Sequence, residues 1–114
     1  MRNLCSFAVT KMYFMIARIW HGKVYLENGN SFFEYIKQTG LPGLRKTKGN
    51  LGVQILRRDD VETSHFIIIS FWDSLKSIRR FSGPDISKAR LYTEDRQFLL
   101  EIEHPLHYEV LINV

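Results

Sequence analysis

Hydrophobic and polar positions change period several times along this chain, and each change marks an element. Met15 to Val24 reads Met-Ile-Ala-Arg-Ile-Trp-His-Gly-Lys-Val. Its β-branched and aromatic side chains suit a pleated, buried surface and predict strand one. Ser31-Phe32-Phe33-Glu34 has the spacing of a capping box, in which hydroxyl and carboxylate each satisfy a free backbone N–H, so a helix is expected from Ser31 to about Thr39. Phe32, Tyr35 and Ile36 form its apolar stripe, Phe33 broadens it, and Gly40 with Pro42 supplies a stop. Leu51 to Arg58 predicts strand two, and Asp59-Asp60 separates it from strand three, with which it should form a hairpin. Strand three, His65 to Trp72, is apolar at nearly every position, the pattern of a central strand covered on both faces.

Asp73 or Ser74 can cap a second helix that turns Leu75, Ile78 and Phe81 inward and ends at Gly83-Pro84. Pro84 suits a first helical position, which predicts a short further helix over Asp85 to Leu91. Thr93 to Glu103 is ambiguous, and Tyr108 to Ile112 reads as strand four. The order β-α-β-β-α-β, with a short extra helix, is the split βαβ arrangement of an α+β, ferredoxin-like fold with a four-stranded antiparallel sheet. Its helices cover one face only, while strand three is apolar on both parities. A second copy packed sheet to sheet is the economical cover, so a homodimer is expected.

With 114 residues the chain suits one domain, expected over 15–114, with 1–14 as an N-terminal extension. A net charge of +4 raises the question of nucleic acid, but the basic groups are small and interleaved with acids such as Asp59, Asp60, Glu94 and Asp95. Strand three carries Ile67-Ile68-Ile69 where an RNA-recognition strand would present base-stacking aromatics, so no nucleic-acid partner is expected. No window is apolar enough to span a membrane, since Lys11 and Arg18 interrupt the best stretch. The single cysteine, Cys5, cannot form an intrachain disulfide, which points to a reducing, cytoplasmic setting.

Three groups of residues, taken together, resemble a known family: Ile16-Ala17-Arg18-Ile19-Trp20, Gly49-Asn50-Leu51-Gly52-Val53 and Ser70-Phe71-Trp72-Asp73-Ser74. From about Met15 to Ile112 the sequence is similar to the antibiotic biosynthesis monooxygenase-like branch of the dimeric α/β-barrel proteins. Gly83-Pro84-Asp85, Ala89-Arg90, Tyr92, Glu94-Asp95 and His107-Tyr108-Glu109 resemble a subgroup of it without an assigned reaction. The resemblance implies a dimeric α/β barrel with a small apolar pocket between sheet and helices in each subunit. Members with known chemistry oxidise aromatic polyketide phenols without metal or flavin, or degrade haem. The family's pocket Trp at the end of strand three carries over to Trp72. Strand one offers Arg18 and Trp20 but no Asn, so haem degradation is not implied.

The residues themselves offer candidates for such a pocket. Trp72 could stack on a planar ligand, or simply anchor the second helix in the core. Arg18 and Trp20 are the other candidate substrate contacts. Arg90 could stabilise a phenolate or enolate beside Tyr92, and His107 could serve as a base because environment tunes imidazole across neutral pH. Arg90, Tyr92 and His107 are thus the candidate catalytic set, with a surface salt bridge as the plain alternative for Arg90. His104 and His107 at i, i+3 in an extended segment point to opposite faces, and His21 and His65 read as lone residues, so no metal is expected. Without a Gly-rich phosphate loop or Cys pair, no cofactor is expected either. Three functions follow: a cofactor-independent monooxygenase acting on an aromatic or polyketide-like molecule, a non-catalytic dimer binding a small apolar ligand, or a structural dimer.

Overall fold

A computed structural model describes residues 15–114; the expected extension over 1–14, Cys5 included, lies outside the described residues. The elements run β1 (Ile16–Tyr25), a 3-10 turn (Leu26–Asn28), α1 (Gly29–Gln38), α2 (Gly40–Lys46), β2 (Asn50–Asp59), β3 (Thr63–Trp72), α3 (Leu75–Ser82), α4 (Asp95–Phe98) and β4 (Leu106–Glu109). The strands form one antiparallel sheet in the order β2-β3-β1-β4, the ferredoxin-like order expected of β-α-β-β-α-β.

Register divides the side chains between two faces. Ile16, Trp20 and Val24 of β1, and Phe66, Ile68 and Trp72 of β3, share the face under the helices. Ala17, Ile19 and His21 share the other face with His65, Ile67, Ile69 and Phe71, joined at the β4 edge by Leu106 and Tyr108. Under the helices the core is two clusters. Ile16, Leu44, Trp72, Ile78 and Phe81 form one, Val24, Phe32, Ile36, Phe66 and Leu99 form the other, and Ile68 packs against both.

The helices depart from expectation in three places. The 3-10 turn feeds α1 from Gly29, so Ser31 falls inside the helix, and Asn28 at the cap position makes no side-chain capping bond. Thr39 leaves helical geometry at φ −121°, ψ −77°, yet α2 begins at once, with Pro42 in its first turn where a missing N–H costs nothing. The helix expected over Asp85 to Leu91 is absent. Asp85 accepts hydrogen bonds from the Ser87 N–H at 3.0 Å and the Ser87 hydroxyl at 2.6 Å, closing a single turn that competes with a helix. The short helix lies instead at α4, inside the stretch whose periodicity is ambiguous.

Ser74 caps α3 by accepting from the Ser77 N–H at 3.1 Å, and Gly83 ends it at φ 91°. Gly49, at φ 95°, turns the chain into β2 against α3, where a Cβ would meet the Ser77 side chain and stand 2.7 Å from Asp73 Oδ1. A Cβ at Gly83 would meet open space. Gly49→Ala should therefore lose about 2–4 kcal/mol of stability in urea unfolding, left-handed strain and overpacking combined. Gly83→Ala should lose only the strain of its positive φ, about 1–3 kcal/mol. Equal losses would rule out crowding against Ser77 as a determinant of this turn.

Candidate functional site

Where the two core clusters meet, a cleft of about 600 Å³, part of it open to solvent, lies between the sheet and α1, α2 and the chain after α3. Phe32, Ile36, Leu44, Ile68 and Phe81 make its apolar wall. Arg18, Trp20 and Ser70 reach it from the strands, and Arg90, Tyr92 and Asp95 from the segment leading into α4. Four residues singled out from sequence thus share one wall system: Arg18, Trp20, Arg90 and Tyr92. Trp72 and His107 stand outside the lining.

Arg18 is the buried charge of the site, only 4% exposed. Its Nη1 donates to Ile86 O at 2.7 Å and to His107 Nε2 at 2.9 Å, and its Nη2 donates to Lys88 O at 3.0 Å. Burial lowers its pKa to about 10, which leaves it charged at neutral pH. His107 accepts with its Nε2 lone pair, so its proton sits on Nδ1. Burial, with Arg18 adding, pushes the imidazole down to about 4. It reaches the cleft through Arg18.

Trp72 is fully buried and donates its indole N–H to Ser70 Oγ at 2.8 Å. Ser70 lines the cleft, so Trp72 orients a lining hydroxyl from behind. Trp20 donates its indole N–H to Glu103 O at 2.9 Å and lies along its own strand over Gly22. A Cβ at Gly22 would stand 2.7 Å from Trp20 Cζ2 and 2.9 Å from Leu99 Cδ2. Only a residue without a side chain leaves the indole room there.

Arg90 donates to Phe81 O at 2.9 Å, and its guanidinium carbon lies 5.0 Å from the Phe81 ring centre and 5.1 Å from that of Tyr92. The Tyr92 hydroxyl is buried and has no hydrogen-bond partner among the described residues. Burial raises its pKa, against the lowering effect of Arg90. Asp95 accepts from the Tyr92 N–H while its own N–H donates to Tyr92 O at 3.1 Å, so the two are locked together. Burial raises the Asp95 carboxyl too, partly offset by that N–H.

Asp95 and Ser70 are lining residues that sequence reasoning missed. Ser70 had a signal, a hydroxyl inside an apolar strand. Asp95 was marked only by the resemblance that Glu94-Asp95 carries, because it falls in the stretch without clear periodicity. Among the described residues no group of three or more His, Cys, Asp or Glu is arranged to hold a metal, and no helix is long and apolar enough to cross a membrane.

The depressed His107 sets a pH dependence. Its folded pKa lies below its unfolded value of 6.5, so the unfolded chain binds the extra proton first. Stability should be intact above about pH 6.5 and fall as pH drops from there toward about 4. His107→Gln, whose amide oxygen can still accept from Arg18, should flatten thermal melts across that window relative to the parent. A parallel pair of curves would show that His107 does not carry the slope.

No described protein family and no curated protein matches the sequence. Solved structures do. One is a Bacillus cereus protein assigned provisionally as an antibiotic biosynthesis monooxygenase, with TM-score 0.59 and 14% identity over 90% of this chain and 97% of that one. Another is a haem-degrading protein of Mycobacterium tuberculosis, with TM-score 0.60 and 20% identity over 88% and 98%. At these identities the likeness is one of fold, and the chain has the ferredoxin-like fold of the antibiotic biosynthesis monooxygenase-like proteins.

Proposed function

We propose that the chain is a dimeric, cytoplasmic enzyme that oxidises a flat phenolic or polyketide-like molecule with dioxygen and without a cofactor. The observation that carries this reading is the Tyr92 hydroxyl, buried and without a hydrogen-bond partner among the described residues, on a side chain that lines an apolar cleft and whose backbone N–H is held by the buried Asp95 carboxyl. A buried polar group without a partner is uncommon, and a ligand oxygen would satisfy it. The fold shared with an antibiotic biosynthesis monooxygenase is consistent with it.

In this reading the ring system lies against Phe32, Ile68 and Phe81, with Trp20 beside it. Tyr92 donates to the substrate oxygen, and Arg90 stabilises the negative charge that develops there. Asp95, made more basic by burial, removes a proton from an activated CH2 group. The resulting carbanion gives its electrons to dioxygen to form a C–O bond, and the returned proton completes a hydroperoxide. Loss of water, with cleavage of the remaining C–H and the O–O bond, leaves a carbonyl: R2CH2 + O2 gives R2CO + H2O. Arg18, Trp72 and His107 complete the site, the first as the charge at the cleft floor, the others as positioning residues acting through Ser70 and Arg18.

Oxygen uptake over a panel of anthrones and hydroquinones tests this. Tyr92→Phe should lower kcat/KM by about 10-fold or more, and Asp95→Asn should lower kcat by about 100-fold or more while ligand binding persists. Binding across the panel with no oxygen consumed would sink the catalytic reading in favour of a non-catalytic binder.

The dimer is the second part of the proposal. Beyond the helices the sheet presents Ile19, Ile67, Ile69 and Phe71, with Leu106 62% and Tyr108 50% exposed at its edge. A second copy would bury this face. Ile67→Lys should convert a dimer to a folded monomer in sedimentation, whereas Ile68→Lys, pointing under the helices, should cost several kcal/mol of folding stability, roughly a small domain's whole margin. An Ile67→Lys protein that still sediments as a dimer would place the contact elsewhere.

A further inference from the structure

Two histidines that read as isolated in the sequence meet on the sheet face away from the helices. His21 of β1 and His65 of β3 are diagonal neighbours, since His21 stands opposite Ile67 and His65 opposite Lys23. Their rings meet edge to edge, with centres 5.2 Å apart and 26° between the planes, and His21 Nε2 lies 2.9 Å from His65 Nδ1. Each outer nitrogen meets a carboxylate. His21 Nδ1 lies 2.8 and 2.9 Å from the two oxygens of Glu103, and His65 Nε2 lies 2.8 Å from Asp60 Oδ2 and 3.2 Å from Thr63 Oγ1.

These contacts settle the tautomers. An ionised carboxylate only accepts, so His21 Nδ1 and His65 Nε2 both carry hydrogen. In the neutral imidazoles the two inner nitrogens are then bare, with lone pairs confronting each other across 2.9 Å. Such a gap requires a cation. A proton can fill it, and so can a metal ion. Metal-ligating histidines commonly donate their second ring N–H to a carboxylate, which fixes the ring and makes the ligating nitrogen more basic. Both rings here have that support before any metal arrives. The carboxylates are thereby committed to the outer nitrogens, which is why the cluster does not present three ligands to one point.

The geometry points to a two-imidazole site for one divalent transition-metal ion of the zinc or copper class, bound by His21 Nε2 and His65 Nδ1 and completed by water. Zn–N bonds of about 2.0–2.1 Å with tetrahedral angles need nitrogens about 3.3 Å apart, so the pair must open by roughly 0.4 Å and tilt toward the ion. In the single chain the side chains are 34% and 18% exposed, so an ion reaches the pair before a second copy closes over this face. The site is separate from the cleft and independent of the oxidation chemistry proposed there. It departs from the expectation of no metal, which treated His21 and His65 as unrelated.

The test uses untagged protein stripped with chelator, titrated with Zn²⁺ against a chromophoric competitor and with Cu²⁺ under electron paramagnetic resonance. Saturation at one ion per chain, or at half if two copies share it, with nitrogen couplings from imidazole, is the expected result. His21→Gln and His65→Gln should each abolish saturable binding, and Glu103→Gln should weaken it by about 10- to 100-fold. Tyr92→Phe should leave it unchanged. Circular dichroism and thermal melts accompany every variant, and the conservative Glu103→Gln carries the test if a histidine variant fails to fold. Absence of saturation up to millimolar metal means a proton alone fills the gap and overturns the proposal, as does undiminished affinity in folded His65→Gln protein.

Discussion

A guanidinium withdrawn from water must find acceptors for its protons, and the ones Arg18 finds fix much of the structure around it. Ile86 O and Lys88 O hold the chain after α3 against the sheet, and His107 Nε2 ties in β4 at the point where Arg18 and His107 are paired in register. Anchored there, Ile86 packs on the Ile16 cluster, and the following residues run on to place Arg90 and Tyr92 at the cleft. The same cation lies 5.8 Å from the Phe81 ring that Arg90 also faces. One buried charge thus joins the second half of the chain to the first and leaves a positive field at the end of an apolar cavity.

The segment between α4 and β4 does comparable work along the other part of β1. Leu100 N–H donates to Lys23 O at 3.0 Å, and Glu103 O receives the Trp20 indole. Glu103 meets Trp20 of the cleft with its carbonyl and His21 of the opposite face with its carboxylate. One residue outside the cleft lining therefore braces both candidate sites, which lie back to back across the sheet.

The first three strands were legible because their apolar runs are long, whereas the fourth, expected over Tyr108 to Ile112, lies at Leu106–Glu109, where its pairing with Ile16–Ile19 of β1 sets the bounds. Strand three announced its central place through Ile67-Ile68-Ile69, and Ser74 announced a cap that the structure contains. Helices after Pro84 were not legible, because Asp85 takes a backbone N–H for its side chain and Arg18, 68 residues away, takes the Ile86 carbonyl. Local propensity carries no trace of that distant donor. The candidate site divides the same way. Arg18 stood out as a charge in an apolar strand, and Trp20, Arg90 and Tyr92 reached one cleft, whereas Asp95 came from a stretch with no periodicity. His21 and His65 could be paired only once register was known, since 44 residues separate them.

Gly22 bears on how this sequence can change. The indole of Trp20 occupies the volume a side chain at that position would need, so the two residues are alternative fillings of one space. Drift at position 22 is closed while the tryptophan stays, and loss of the tryptophan opens both the cleft floor and the seat of Leu99. Relatives that keep this cavity should inherit the pair as a unit, and those that rebuild it for another occupant can do so by exchanging which of the two positions carries the bulk.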